Sequence, residues 1–482
     1  MLDKLIEGIG ALWRTSIFPC GIFKYKKGVN DKPGTPNYDL FRLALKSTAK
    51  RLYPNYFNCD WSNQVKAVKD DRDMRREVIN DLDESDYYRL EDIILNNPDI
   101  AKKLKLYVKD GEILVDNSTD ILEEGSTMGC RTWNGYDINY DKVFIKNIKS
   151  VIENGELYND LYLSGSQKDG RGNIAPVTII LPKLAMESKI ECMQSDDINC
   201  NVVDLFMEKL HNKIIEARDM LIDRNNLIRS QSPNAAMFTY VNRAMVAYDP
   251  KVGLDSAILS GTLAIGQIGL AETLYILIGK DHTTREGMEL AKEIEQTFNK
   301  MCSDFKKEYK LNFCVYYTPA ENLCYTSMQK FKDEFGVIPH VSDKDFFTNS
   351  MHVPVWENIN IFDKIDIESE LTGYSNAGCI TYVELNDEVD RNIDALEKLV
   401  TYAMKKDIPY FAINIPNDTC MDCGFSGNIV SEYCPQCGSS NIQRLKRVTG
   451  YLTGDYKTAF NKGKQQETDM RVKHSDIILH EW

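Results

Sequence analysis

Apolar positions along this chain follow two spacings: short continuous runs, and longer stretches that repeat every three to four residues. Val177-Thr178-Ile179-Ile180-Leu181 is a run of β-branched and aliphatic residues closed by Pro182, which predicts a buried strand. Phe313-Cys314-Val315-Tyr316-Tyr317 and Cys379-Ile380-Thr381-Tyr382-Val383 read the same way, and Phe18 to Phe23 gives a shorter strand ahead of a turn at Lys32-Pro33-Gly34. Helical spacing runs through residues 39–52, with Leu40, Leu43, Leu45 and Ala49 on the apolar positions, and again through 197–225, 284–309 and 387–405. Residues 261–279 are apolar and rich in glycine, which predicts a buried helix packed closely on its neighbours. Residues 60–125 are charged and weakly periodic. They predict a peripheral helical insertion with a hairpin at Asp110-Gly111. Strands alternating with helices point to an α/β fold, although spacing alone does not show whether the sheet closes into a barrel.

Composition narrows the class. The chain has 482 residues, 43% hydrophobic and 27% charged, enough for one large or two to three ordinary domains with a sizeable core. It contains no run of eighteen apolar residues that would cross a membrane, and Met1 to Leu5 lack the basic-then-apolar pattern of a secretory signal. The net charge of −14 argues against a protein that coats nucleic acid, since that binding depends on Lys and Arg neutralising phosphates. A small nucleotide remains open as a ligand. The 13 cysteines, an odd number without a secretory signal, read as reduced thiols in a cytoplasmic protein.

Four of those cysteines form two CxxC pairs ten residues apart, Cys420 with Cys423 and Cys434 with Cys437, each pair followed by glycine. Two intervening residues let a tight turn aim both sulfurs at one ion, and four thiolates satisfy tetrahedral Zn²⁺. A closed set of this kind leaves no open coordination position, so the zinc is read as structural. A redox pair and an Fe–S cluster are the alternatives.

Beyond this ribbon come Arg447-Val448-Thr449-Gly450-Tyr451-Leu452, then Phe460-Asn461-Lys462-Gly463-Lys464, then Arg471-Val472-Lys473-His474. This series resembles the C-terminus of the anaerobic (class III) ribonucleoside-triphosphate reductases, which are glycyl-radical enzymes. Earlier segments resemble the same family: Thr15 to Pro19, Pro36 to Asp39, Lys50 to Pro54, Thr318 to Glu321, Ser342 to Asp345 and Thr348 to Pro354. The resemblance covers roughly residues 10–482. It implies a ten-stranded α/β barrel, incomplete at its N-terminus, over residues 1–410, a zinc ribbon over 411–445 and a radical-bearing segment over 446–482.

The resemblance also implies the site. Gly450 holds the stored radical, and glycine suits it because no side chain crowds the planar α-carbon. Cys130, in Met128-Gly129-Cys130-Arg131-Thr132, forms the thiyl radical, with the Met128 thioether beside it. Asn173 hydrogen-bonds the substrate ribose. Thr318, Pro319, Ala320 and Glu321 cradle phosphates with backbone N–H groups. Where the family usually has Asn, within T-I-N-L-P, this chain has Ile180. His352 and His474 fall in family-like segments and read as structural hydrogen-bonders.

The implied activity is reduction of ribonucleoside triphosphates to deoxyribonucleotides for DNA synthesis. A partner activase carrying a [4Fe–4S] cluster and S-adenosylmethionine makes the radical, and formate or a thiol serves as reductant. A homodimer is implied, without nucleic acid or membrane as partner. Family members run longer at the N-terminus, with a regulatory domain and further strands, so a separate N-terminal polypeptide is expected to complete the barrel and cover its edges. Two other classes fit less well. A formate-lyase type of glycyl-radical enzyme would want adjacent catalytic cysteines, which Cys130 lacks. A non-catalytic zinc-ribbon binding protein or enzyme remnant would show salt-sensitive nucleic-acid binding.

Overall fold

The computed structural model describes residues 74–115, 126–128, 132–134, 140–158, 173–236, 253–258, 261–318, 320–385, 393–406, 408, 411–414, 417–445 and 455–472. The readings for residues 18–23, 32–34 and 39–52 lie outside them.

The charged N-terminal region builds a small core of its own. Helix α1 (Glu84–Asn96) starts where the Asp83 carboxylate accepts the Asp86 N–H, and α2 (Pro98–Leu104) opens on a proline whose missing N–H costs nothing there. Strands β1 (Leu106–Lys109) and β2 (Glu112–Val115) then pair antiparallel. The predicted hairpin is present: Asp110 (φ 54°) and Gly111 (φ 80°) are both left-handed, as a two-residue turn matched to strand twist requires. After the antiparallel ribbon of β3 (Ser126–Met128) and β4 (Thr132–Asn134), α3 (Tyr140–Asn154) closes this core. It buries Leu90, Leu104, Phe144, Ile148 and Val151. Arg75 is buried with them. Its guanidinium donates to the Leu104 carbonyl at 2.6 Å and sits 4.7 Å over the Phe144 ring.

The main body starts with β5 (Asn173–Ile180), α4 (Leu181–Gln194), α5 (Val202–Arg229), β6 (Thr262–Ile268), α6 (Leu270–Ile278), α7 (Arg285–Tyr309) and β7 (Asn312–Val315). It continues through α8 (Glu321–Phe335), α9 (Ile361–Thr372), β8 (Thr381–Glu384), α10 (Ile393–Lys405) and β9 (Phe411–Asn414). Strands β5, β6 and β7 form a parallel sheet in that order, and β8 pairs parallel with β9. The chain entering β8 runs beside the end of β7: Ala377 N donates to Val315 O at 2.8 Å and Tyr317 N to Gly378 O at 3.0 Å. The two sheets approach each other at this point, with helices packed on them. Among the described residues the sheets have two or three strands each, so they do not show the ten-stranded barrel that the resemblance implies. No described helix is long and apolar enough to cross a membrane.

Four readings are corrected. Residues 261–279 are not one helix; every residue of β6 is buried, as in a central parallel strand, and only Leu270–Ile278 is helical. A continuous apolar run has the same appearance in a buried strand and a buried helix. Leu181 and Pro182 belong to α4, where the proline opens a helix. The cysteines are not all reduced: Cys192 and Cys200 form a disulfide across the α4–α5 loop, a pairing made by two helix ends and invisible to counting. The helix read over 197–225 begins at Val202, because Asn201 caps it.

Candidate active site and metal centre

The four ribbon cysteines meet. Strand β10 (Asn417–Cys420) pairs with both β11 (Ser426–Gly427) and β12 (Ile442–Leu445), and each CxxC forms a knuckle above this small sheet. Gly424 N donates to Cys420 O and Gly438 N to Cys434 O, both at 2.9 Å. Both glycines are left-handed, which is why each CxxC is followed by one. The sulfurs of Cys420 and Cys437 lie 3.6 Å apart, as do those of Cys423 and Cys434, and all four fall within 4.8 Å of one another. A tetrahedral ion with sulfurs about 2.3 Å away has S···S edges of about 3.8 Å, so the set could hold a metal such as zinc. The Cys423 amide aimed at its sulfur is the main reason that the Cys420 thiol is held down at about 7. Asp422 buttresses the second knuckle by accepting from Ser439 Oγ and, at 2.7 Å, from Asn441 Nδ2.

A second concentration of chemistry lies around the segment from Phe346 to Ile359. A cleft of about 620 Å³, its mouth included, is lined by Thr348, Asn349 and His352 from this segment, Tyr382 and Glu384 from β8, and Arg471. Charges beneath it are paired. Glu368 is wholly buried; its Oε1 lies 3.2 Å from His352 Nδ1, accepts from Val353 N at 3.2 Å and sits 3.6 Å from Lys364 Nζ. Burial pushes its pKa up, but Lys364 and His352 outweigh that and hold it down at about 2. Glu272 accepts from both the backbone N–H and the hydroxyl of Thr348 at 2.8 Å. There burial wins and pushes the carboxyl to about 7. Burial does the same to Glu295, which accepts from Gln267 at 2.7 Å.

The C-terminal motifs close one side of this cleft. Asn461 caps α12 (Lys462–Met470), which follows the short α11 (Tyr456–Ala459), and its Nδ2 donates to Asn322 Oδ1 at 2.7 Å. Gly463 is pressed onto α8 and the Asp345 carbonyl; a Cβ there would come within 2.7 Å of that oxygen and 2.9 Å of the Tyr325 ring. Arg471 Nη1 lies 2.9 Å from Glu384 Oε1, and its Nη2 lies 3.4 Å from Glu467 Oε1. Lys464 pairs with the other Glu467 oxygen. Val472 N donates to Val355 O at 2.9 Å.

Of the residues singled out in the sequence, Gly450, Cys130, Pro319 and His474 lie outside the described residues. Met128 ends β3. Asn173 opens β5 opposite Thr262, half-buried, and its Oδ1 accepts no hydrogen bond among the described residues. Thr318 is buried, its hydroxyl accepting from Ala320 N at 3.2 Å, while Ala320 (φ 42°) and Glu321 stand at the start of α8. The structure brings this segment and the C-terminal helix together, since α12 docks on α8. Sequence reading missed Glu272, Glu295, Lys364, Glu368, Glu384 and Glu467. A charged residue within a helix or strand looks like solvated surface in sequence, and only its burial or pairing reveals it.

Comparison with known proteins gives a consistent result. A family model described as anaerobic ribonucleoside-triphosphate reductase matches residues 1–474. The chain is 29% identical over 486 residues to the anaerobic ribonucleoside-triphosphate reductase of Escherichia coli (strain K12), covering 98% of this chain and 56% of that protein. It is 27% identical over 484 residues to the enzyme of the same name from Enterobacteria phage T4, covering 98% and 65%. The chain therefore spans little more than half the length of the first of these relatives. Among solved structures, one titled anaerobic ribonucleotide reductase superposes with a TM-score of 0.50 at 20% identity, covering 64% of this chain and 45% of that one, a likeness of fold.

Proposed function

We propose that this chain, which belongs to the anaerobic ribonucleoside-triphosphate reductase family, forms the catalytic portion of an enzyme that reduces ribonucleoside triphosphates to deoxyribonucleoside triphosphates by radical chemistry. The observation that carries this reading is the extent of the family match. It runs from residue 1 to 474, through the Cys130 loop, the four-cysteine ribbon and the Gly450 box.

In this reading a partner activase with a [4Fe–4S] cluster and S-adenosylmethionine removes the α-hydrogen of Gly450. The Gly450 radical then takes the hydrogen of the Cys130 thiol, and the resulting thiyl takes the 3′-hydrogen of the bound ribose. The 2′-hydroxyl leaves as water, and formate or a thiol supplies the reducing electrons. Asn173 hydrogen-bonds the ribose, with Met128 beside Cys130, and the segment from Thr318 to Glu321 holds phosphates with its N–H groups. The protein's main contribution is to position the nucleotide and exclude water from the radicals. The docking of α12 on α8 supports this assignment, because it sets the chain that follows Gly450 against the helix that Glu321 begins.

Strands β5 to β9 supply half of a ten-stranded barrel, and Cys420, Cys423, Cys434 and Cys437 hold a structural zinc that fixes the path into residues 446–482. The enzyme acts in the cytoplasm as a homodimer. The test is an anaerobic incubation with a cognate activase, S-adenosylmethionine and a reductant, followed by EPR. A glycyl doublet that vanishes in Gly450→Ala is expected; a doublet that survives this substitution would place the radical elsewhere.

A further inference from the structure

We propose that Cys192 and Cys200 are a reversible thiol–disulfide couple that exchanges with a dithiol reductant protein, a redox site separate from the radical and metal chemistry above and independent of that reading. The two residues close the loop between α4 and α5, with Cα atoms 5.6 Å apart. Both are half-buried, and every residue from Met193 to Asn199 is exposed, Ile198 at 97%. The described cysteines outside the ribbon behave differently: Cys302, Cys314, Cys324 and Cys379 are buried. A protein thiolate can therefore reach this pair and none of those four.

The couple is preorganised by elements that do not need the bond. Helix α4 is anchored in the main core through Leu181, Leu184 and Ala185, and α5 through Phe206, Leu210 and Ile214. Lys209 and Glu191 bridge the two helices at 2.6 Å. Within the loop Cys200 N donates to Asp197 O at 3.1 Å and Asn199 N to Asp197 Oδ1 at 2.9 Å. After reduction the two thiols stay near each other, so closure is an intramolecular step with a high effective concentration. The exchange balances within the two proteins. A partner thiolate attacks one sulfur and releases the other as a thiolate. The second partner thiol then resolves the mixed disulfide, leaving Cys192 and Cys200 reduced and the partner oxidised. Asp196 and Asp197, both exposed in the loop that the pair closes, add negative charge to this surface, which disfavours an anionic monothiol such as glutathione and favours a partner with a neutral or basic rim.

One tryptic peptide, residues 190–209, carries both cysteines and no other. The full chain, purified without reductant, is treated with thioredoxin or with glutathione, alkylated and mapped by mass spectrometry. Thioredoxin is expected to convert this peptide from the form lacking two hydrogens to the doubly alkylated form faster than glutathione does. Asp196→Asn with Asp197→Asn should speed glutathione by roughly fivefold. Cys192→Ser with Cys200→Ser should fold with the melting midpoint of the reduced parent chain. Alkylation of both thiols without any reductant, a disulfide that resists thioredoxin in the folded chain, or unfolding of the double serine variant would each overturn the proposal.

Discussion

At the scale of single residues, the main body is governed by which buried carboxylates are paired and which are not. Glu272 and Glu368 are equally buried, yet their pKa values move in opposite directions, to about 7 and about 2. The difference lies in what faces them: Lys364 and His352 outweigh burial at Glu368, whereas the donors of Thr348 and a lesser pull from Lys344 do not at Glu272. Their linkage to stability has opposite signs. Glu368, depressed when folded, stabilises the fold above the usual glutamate range, and this is lost as pH falls toward 2. Glu272, raised when folded, binds its proton more tightly in the native state. Its contribution is intact below about pH 4.5 and is lost as pH rises to about 7, an effect of about 3 kcal/mol. Glu272→Gln keeps an acceptor for Thr348 and removes the titration. Urea unfolding of this variant should show a shallower loss of stability between pH 4.5 and 7 than the parent chain, whereas an identical slope would mean that Glu272 is ionised throughout.

At the scale of elements, the C-terminal helix is the piece whose placement rests on a close approach. Helix α12 is short and bears few apolar residues, so propensity alone would leave it marginal. It is held by the cap at Asn461, the buried Lys464–Glu467–Arg471 charges and the flat contact at Gly463. Backbone cannot yield at Gly463 as a flexible side chain would. Gly463→Ala should therefore undock α12 from α8, destabilise the C-terminal segment by about 2 kcal/mol and expose it to limited proteolysis ahead of the core. Unchanged proteolysis would show that α8 shifts to accept the methyl group.

At the scale of the whole molecule, three bodies differ in what holds them. The main core and the core of residues 74–158 are apolar clusters. The ribbon buries chiefly Cys420, Ile429 and Cys434, too little apolar surface to hold a fold without another bond. Chelation under reducing conditions should accordingly unfold the ribbon at a metal-dependent midpoint and leave the far-UV signal of the helices largely intact. A single transition that takes the helices with it would mean that the ribbon is part of the core. Arg444 ties the ribbon together, since its guanidinium approaches Asp418 at 3.5 Å and also donates to the carbonyls of Ile429 and Ser431.

The chain by itself determined the features that depend on neighbours in sequence: the α/β alternation, the Asp110-Gly111 hairpin, the helical span of α7 and the two CxxC knuckles. Local backbone preferences and ligand spacing are written in a few consecutive residues, so they can be read from those residues. The family was legible for the same reason, since its motifs are short strings. What only the tertiary structure decided is which distant groups meet. It split 261–279 into a strand and a helix, because burial on every side erases the periodicity that would distinguish them. It joined Cys192 to Cys200 through the packing of two helices. It also placed Glu272, Glu368, Glu384 and Glu467, indistinguishable in sequence from surface carboxylates, against Thr348, His352 and Arg471, because burial and charge pairing belong to the packed chain and not to any one segment of it.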